Sequence, residues 1–138
     1  MSTEIRRPLF ASLPRARCEE LLAQKTVGRV GVAAADGPLV LPVNYHFRLG
    51  RIVLRTSAYG PLSVLSERTR VAFEVDSIDE DGAEGWSVLV RGAASGVVND
   101  HELARMWADG PQPWAAGSRT LFISIEPTII TGRTVQGP

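Results

Sequence analysis

Between Leu39 and Phe47 the odd-numbered residues are all apolar (Leu39, Leu41, Val43, Tyr45, Phe47), while Pro42, Asn44 and His46 fall on even positions. Side chains along a strand alternate between faces, so this spacing predicts a strand with one face for a core and one for polar chemistry. Leu49-Gly50 interrupts the alternation and Ile52–Ser57 resumes it. Val40–Ser57 therefore reads as two strands folded back on each other. The returning strand ends in Arg55-Thr56-Ser57, a cation followed by two hydroxyls, which makes that end a candidate anion site. The competing reading is a surface arginine beside two solvated hydroxyls.

The flanking segments extend the same pattern. Val27–Ala34 is a predicted strand, joined to the hairpin through Asp36-Gly37. Val71–Ile78 alternates Val71, Phe73 and Val75 against Glu74 and Asp76, and Trp86–Val98 is a long strand with a bend or bulge expected at Gly92. A last strand runs over Arg119–Ile125, breaks at Pro127 and resumes over Ile130–Val135. Helices are expected over Arg15–Gln24, started by Ser12 as cap and Pro14 in the first turn, over Leu62–Arg68, and over His101–Ala108 with Asn99 or Asp100 as cap. Residues 1–11 read as an irregular lead-in. About six strands joined by short turns, with two or three helices and no βαβ alternation, give a mainly β single domain: an antiparallel sheet closed or nearly closed into a barrel. Trp86–Val90 and Leu121–Ile125 are apolar on both faces, so one face fills the barrel and the other needs cover. A second copy of the chain would supply it, and a homodimer is the expectation.

Several function classes drop out. With 15 basic and 15 acidic residues the net charge is zero, which disfavours nucleic acid or an anionic membrane surface as the main partner. Two histidines and one cysteine make no zinc pattern, and no phosphate loop, dinucleotide fingerprint or nucleophile elbow is present. The acidic cluster Asp76, Asp79, Glu80, Asp81 and Glu84 reads as a solvated turn rather than a metal site. Cys18, at helical spacing with Leu21 and Leu22, reads as a core residue. No apolar run reaches membrane-spanning length, and the N-terminal residues show no signal-peptide core, so a cytoplasmic location is expected.

Taken in order, GRVGV, DGPLVLPVNY, IVLRTSAYG, VAFEVDSID, GWSVLVRGAA and ITGR resemble the pyridoxamine 5′-phosphate oxidase-like, FMN-binding split-barrel proteins, over about Leu13 to Arg133. The resemblance implies a split β-barrel homodimer with FMN in clefts at the subunit interface. It implies that Leu41, Pro42, Val43, Asn44 and Tyr45 line the flavin ring and its ribityl chain. Arg55, Thr56 and Ser57 would contact the ribityl chain and phosphate, and Ser87 would approach the ring edge with Trp86 packed nearby. Where the family usually carries a phosphate-pairing lysine or arginine this chain has Pro61, which leaves Arg55 alone, or Arg68 or Arg70, to supply the cation. The implied activity is a flavin-dependent oxidoreductase acting on a small organic substrate. The alternatives are a reductase using the deazaflavin F420, or a carrier or sensor holding flavin, or haem through His46, without turnover. Trp107 and Trp114 flank a proline-rich loop and read as its anchors.

Overall fold

A computed structural model describes residues 9–114, 117 and 119–136. In chain order the elements are β1 (Leu9–Leu13), α1 (Arg15–Gln24), β2 (Val27–Ala34), β3 (Gly37–Arg48), β4 (Arg51–Thr56), a 3₁₀ helix (Pro61–Ser66), β5 (Thr69–Asp79), β6 (Glu84–Gly96), α2 (Asp100–Asp109) and β7 (Leu121–Gln136). All strand pairings are antiparallel. The order β7-β4-β3-β2-β5-β6 returns to β7 through the β6–β7 pairing, which closes a six-stranded barrel, and β1 adds to the far half of β7. The mainly β, antiparallel barrel expected from the sequence is the architecture observed.

The alternation in β3 sets the inside of the barrel. Val43 and Tyr45 are buried, and Leu39, Leu41 and Phe47 pack against the same core. Tyr45, Leu54 and Ile123 lie side by side across β3, β4 and β7. The Tyr45 ring meets Phe73 edge to face, with centroids 4.8 Å apart. Its hydroxyl donates to the Leu22 carbonyl at 2.6 Å, so a polar atom deep in the core is satisfied by α1. That helix plugs one end of the barrel with Cys18, Leu21 and Leu22, all buried.

Three expectations are corrected. The lead-in is not irregular up to residue 11: Leu9–Leu13 pairs with Gly132–Gln136, while residues 1–8 lie outside the described part. Ser12 consequently sits in that strand opposite Arg133, and α1 starts at Arg15 with Pro14 at the N-cap and no side-chain cap. The last strand does not break at Pro127. β7 runs unbroken from Leu121 to Gln136 and takes up Pro127 in a bulge of its own: Pro127 faces Gly92 and Ile129 faces Arg91, which leaves Thr128 as the extra residue. A bulge interrupts the ladder locally, so the donor that proline lacks is not missed there. Gly92, where the bend was expected, packs so closely on the Glu126 carbonyl that a Cβ would collide with it.

Candidate functional site

The outside of the barrel divides into two territories. Over β4 and the first half of β7 lie α2 and the segments around Pro111 and Arg119. Asn99 caps α2 by accepting from the His101 and Glu102 amides, and Trp107 packs edge-on against Phe122 at 5.2 Å. Over the outer face of β2, β3, β5 and β6 no helix or strand is laid among the described residues, and Trp114 reaches only the Arg29–Pro42 end. Register places residues of this open face in rows. One row runs Val40, Gly31, Ala72, Arg91, Ile129; the next runs Pro42, Arg29, Glu74, Leu89, Thr131; beyond it Asp76, Ser87, Arg133 and Ser12 follow.

The first row crosses a groove of about 960 Å³. Gly31, Ala72 and Ala93 contribute nothing beyond Cβ to the floor, Pro38 and Val40 form one flank, and Arg68, Arg70 and Arg91 stand along the other side. At Gly31 an added Cβ would make only ordinary contacts, with Val40 at 3.8 Å and Ala72 at 3.9 Å, so the fold leaves that space open without requiring it. Next to the groove, β4 pairs with β3 only from Asn44 to Arg48. Gly37–Val43 therefore has one backbone edge without a strand partner, and Pro42 lies on that edge, where a missing donor costs no ladder bond.

The middle of the open face carries an ion cluster. Arg29 donates to Glu74 at 3.1 Å and to Asp76 at 3.3 Å. Burial pushes the Glu74 carboxyl up, to about 7, and the hydrogen bond and charge of Asp76 add to the rise against the opposing effect of Arg29. Glu74 is thus a group on this face that exchanges its proton near neutrality. A second, smaller cleft of about 330 Å³ opens at the far end of the face, lined by Phe10, Ile78, Trp86, Ser87 and Arg133 among others.

The residues expected to hold a cofactor are distributed unevenly. Leu41, Val43 and Tyr45 send their side chains into the barrel and offer the outside only backbone. Pro42 lines a shallow depression with Arg29, Asp76 and Trp114. The Asn44 carboxamide accepts from the Trp114 amide at 3.0 Å and so tethers the loop to β3. Trp86 packs toward the core under Lys25, whose ammonium lies 5.9 Å from the ring, and Ser87 faces outward beside it in the smaller cleft. Arg55 is half-buried beneath α2. Its Nε donates to the Arg119 carbonyl at 2.6 Å and its Nη1 to the Pro111 carbonyl at 3.5 Å, and its guanidinium lies 4.5 Å from the Trp107 ring centroid and 5.3 Å from that of Phe122. Ser57 accepts from the Tyr59 amide in a local turn, and Thr56 ends β4 opposite Leu121. Arg55, Thr56, Ser57 and His46 do not line the groove, whereas Arg68 and Arg70 do. Sequence reading missed Arg29, Glu74 and Arg91. The even positions of VAFEVDSI carried the hint, but only the register of β5 on β2 and β6 puts them on one face.

A model of the pyridoxamine 5′-phosphate oxidase family matches residues 14–134. The chain belongs to that family. An uncharacterized protein of Mycobacterium tuberculosis is 34% identical over 125 residues, which cover 87% of this chain and 82% of that protein. Among solved structures, a candidate pyridoxamine 5′-phosphate oxidase of Corynebacterium glutamicum superposes with a TM-score of 0.79 at 30% identity, covering 94% of this chain and all of that one. The FAD-binding protein of Mycobacterium smegmatis superposes with a TM-score of 0.78 at 28% identity, covering 91% and 98%. The match spans the barrel strands but for the last two residues of β7 and leaves out β1, and no helix among the described residues is long and apolar enough to cross a membrane.

Proposed function

We propose that this member of the pyridoxamine 5′-phosphate oxidase family is a flavin-binding oxidoreductase, with the flavin lying on the open outer face of the barrel. The observation that carries the reading is the groove over β2, β3, β5 and β6: a floor of Gly31, Ala72 and Ala93, an unpartnered stretch of β3 backbone, and cations at one side. A flat ring system fits a floor without side chains beyond Cβ, and a phosphorylated tail fits guanidinium groups. The resemblance to the M. smegmatis FAD-binding protein supports flavin as the class of ligand. Pro38 and Val40 would flank the ring at the β3 edge, with Pro42, Val43 and Asn44 further along the same strand. Ser87 and Trp86 would lie toward a neighbouring substrate cleft.

The flavin, when bound, supplies hydride transfer. The protein's part is to position the ring against a small organic substrate, exclude water from it, and hold a proton at the Glu74 carboxyl near neutral pH. Phe10, Val40, Ile78 and Ile129 are large apolar side chains exposed on the same face, and a second copy of the chain covering them would close the site as a homodimer. His46 lies on the α2 side, so the groove favours a flavin over a haem held by that residue.

The absorbance spectrum of the purified protein tests the reading. Protein loaded with FMN, FAD or F420 should show a shifted flavin spectrum that bleaches when NAD(P)H or a reduced deazaflavin is supplied. A bound flavin that no donor reduces would remove the oxidoreductase assignment and leave a carrier.

A further inference from the structure

The smaller cleft at the far end of the open face lies where two rows of different chemistry meet. The outermost row runs Ile78, Gly85, Val135, Phe10 across β5, β6, β7 and β1. Ile78 is 64% exposed and Phe10 68%, so large apolar side chains stand in water with a gap between them. The gap is at Gly85, where a Cβ would collide with the Ser77 carbonyl, so the fold itself keeps a side chain out. The adjoining row, Asp76, Ser87, Arg133, Ser12, is polar. Ser87 and Arg133 line the cleft and also a polar depression beside it, which holds Ser12, Glu74 and Thr131. They form the wall shared by an apolar hollow and a polar one. The Arg133 guanidinium lies 5.8 Å from the Phe10 ring centroid. The ion pairs among the described residues engage Arg15, Arg17 and Arg29, and Asp76, the acid in the row of Arg133, is taken by Arg29.

We propose that this cleft binds a planar aromatic monocarboxylate, with its ring over Gly85 among Ile78, Val135 and Phe10 and its carboxylate on Arg133 and the Ser87 hydroxyl. A cleft of about 330 Å³ suits a small ring acid. A guanidinium and a hydroxyl match the oxygens of a carboxylate, and beside apolar walls that contact is less screened than on an open surface. The surrounding charge selects a monoanion. Arg133 is the cation lining the cleft, whereas Glu84 lines it too and Asp79, Glu80 and Asp81 stand in the adjoining turn. The second charge of a phosphate ester would meet repulsion there. As the substrate of the flavin reaction the acid rests on the reading above, its carboxylate being a handle and not the reacting group. As a ligand of the cleft it stands on these residues alone.

The test is calorimetric titration of the full chain, as purified and after flavin loading, with 2-naphthoate, the neutral 2-naphthamide and 2-naphthyl phosphate, at about pH 8, where the phosphate ester is a dianion. Naphthoate should bind at least about tenfold more tightly than naphthamide, and more tightly than naphthyl phosphate. Arg133→Gln should cancel the preference for naphthoate while naphthamide affinity, the internal check on folding, stays within about twofold. Phe10→Ser should weaken naphthoate and naphthamide alike and leave their ratio standing. Arg17→Gln on α1, an exposed arginine far from the cleft in the fold, should change nothing. Naphthamide bound as tightly as naphthoate, a preference that survives Arg133→Gln, or tighter binding of the phosphate ester would each overturn the proposal. If flavin binds and no naphthyl compound does, the cleft assignment is refuted and the flavin reading stands. If naphthoate binds as described and the chain takes up no flavin, the cleft stands as a ligand site and its substrate role falls with the flavin reading.

Discussion

Tyr45 and Arg55 were both expected at the cofactor, and in the fold both work inside the protein. The Tyr45 hydroxyl is held in the core by the Leu22 carbonyl, and burial drives its pKa well above the usual tyrosine value. Tyr45→Phe would leave that carbonyl of α1 without its partner, and thermal or urea unfolding should show a loss of about 1–2 kcal/mol. Arg55→Leu removes two hydrogen bonds and the stack on Trp107, for a loss of about 1–3 kcal/mol. Flavin affinity should change little, because the guanidinium is under α2 and not in the groove. Both side chains were visible as candidates from alternation alone. What alternation does not give is which neighbour an outward residue meets, and for Arg55 that neighbour, Trp107, is 52 positions later in the chain. Glu74 behaves differently. Its folded-state pKa is raised above the unfolded value, so its contribution favours the fold at low pH and is lost as pH rises through about 7. Glu74→Gln should flatten the fall in melting temperature between pH 4.5 and 7; an unchanged slope would show that the carboxyl is not held up by its surroundings.

Individual elements were legible where their own residues decide them. The β3–β4 turn is one such case: Leu49 and Gly50 both take positive φ, 53° and 73°, as a two-residue hairpin turn with the right twist requires. Leucine is a poor residue there and its side chain is 79% exposed. Leu49→Asn should therefore stabilise the protein by about 0.5–1 kcal/mol, read as a rise in melting temperature. Gly92 was recognisable as a bend for a comparable reason, and Gly92→Ala, which forces a methyl group against the Glu126 carbonyl, should cost about 1–3 kcal/mol. Elements defined by a distant partner were not legible. Leu9–Leu13 has too few residues to announce a strand and becomes one only because Gly132–Gln136 offers an edge. Likewise Pro127 looks like a strand breaker until pairing with β6 shows β7 bulging at the neighbouring Thr128.

At the scale of the whole molecule, closure of the barrel followed from counting alternating segments joined by short turns, while the division of its outer surface did not. That division is made by α2 with Trp114 and Arg119, tethered to Asn44 and Arg55, which cover one side, while among the described residues the other is open. The open side holds exposed Val40 and Ile129 beside the groove. Sedimentation should find the protein as a dimer, and Val40→Glu should shift it toward monomer with its melting temperature lowered. Every role proposed for the open face depends on the groove being where flavin binds. The most direct test is flavin titration of the unaltered chain beside Ala72→Leu, which fills the groove floor from an outward-facing position. Saturable FMN or FAD binding with a shifted flavin spectrum is expected, weakened at least about tenfold in Ala72→Leu with the fold intact. Flavin bound equally by both proteins, or by neither, would contradict it.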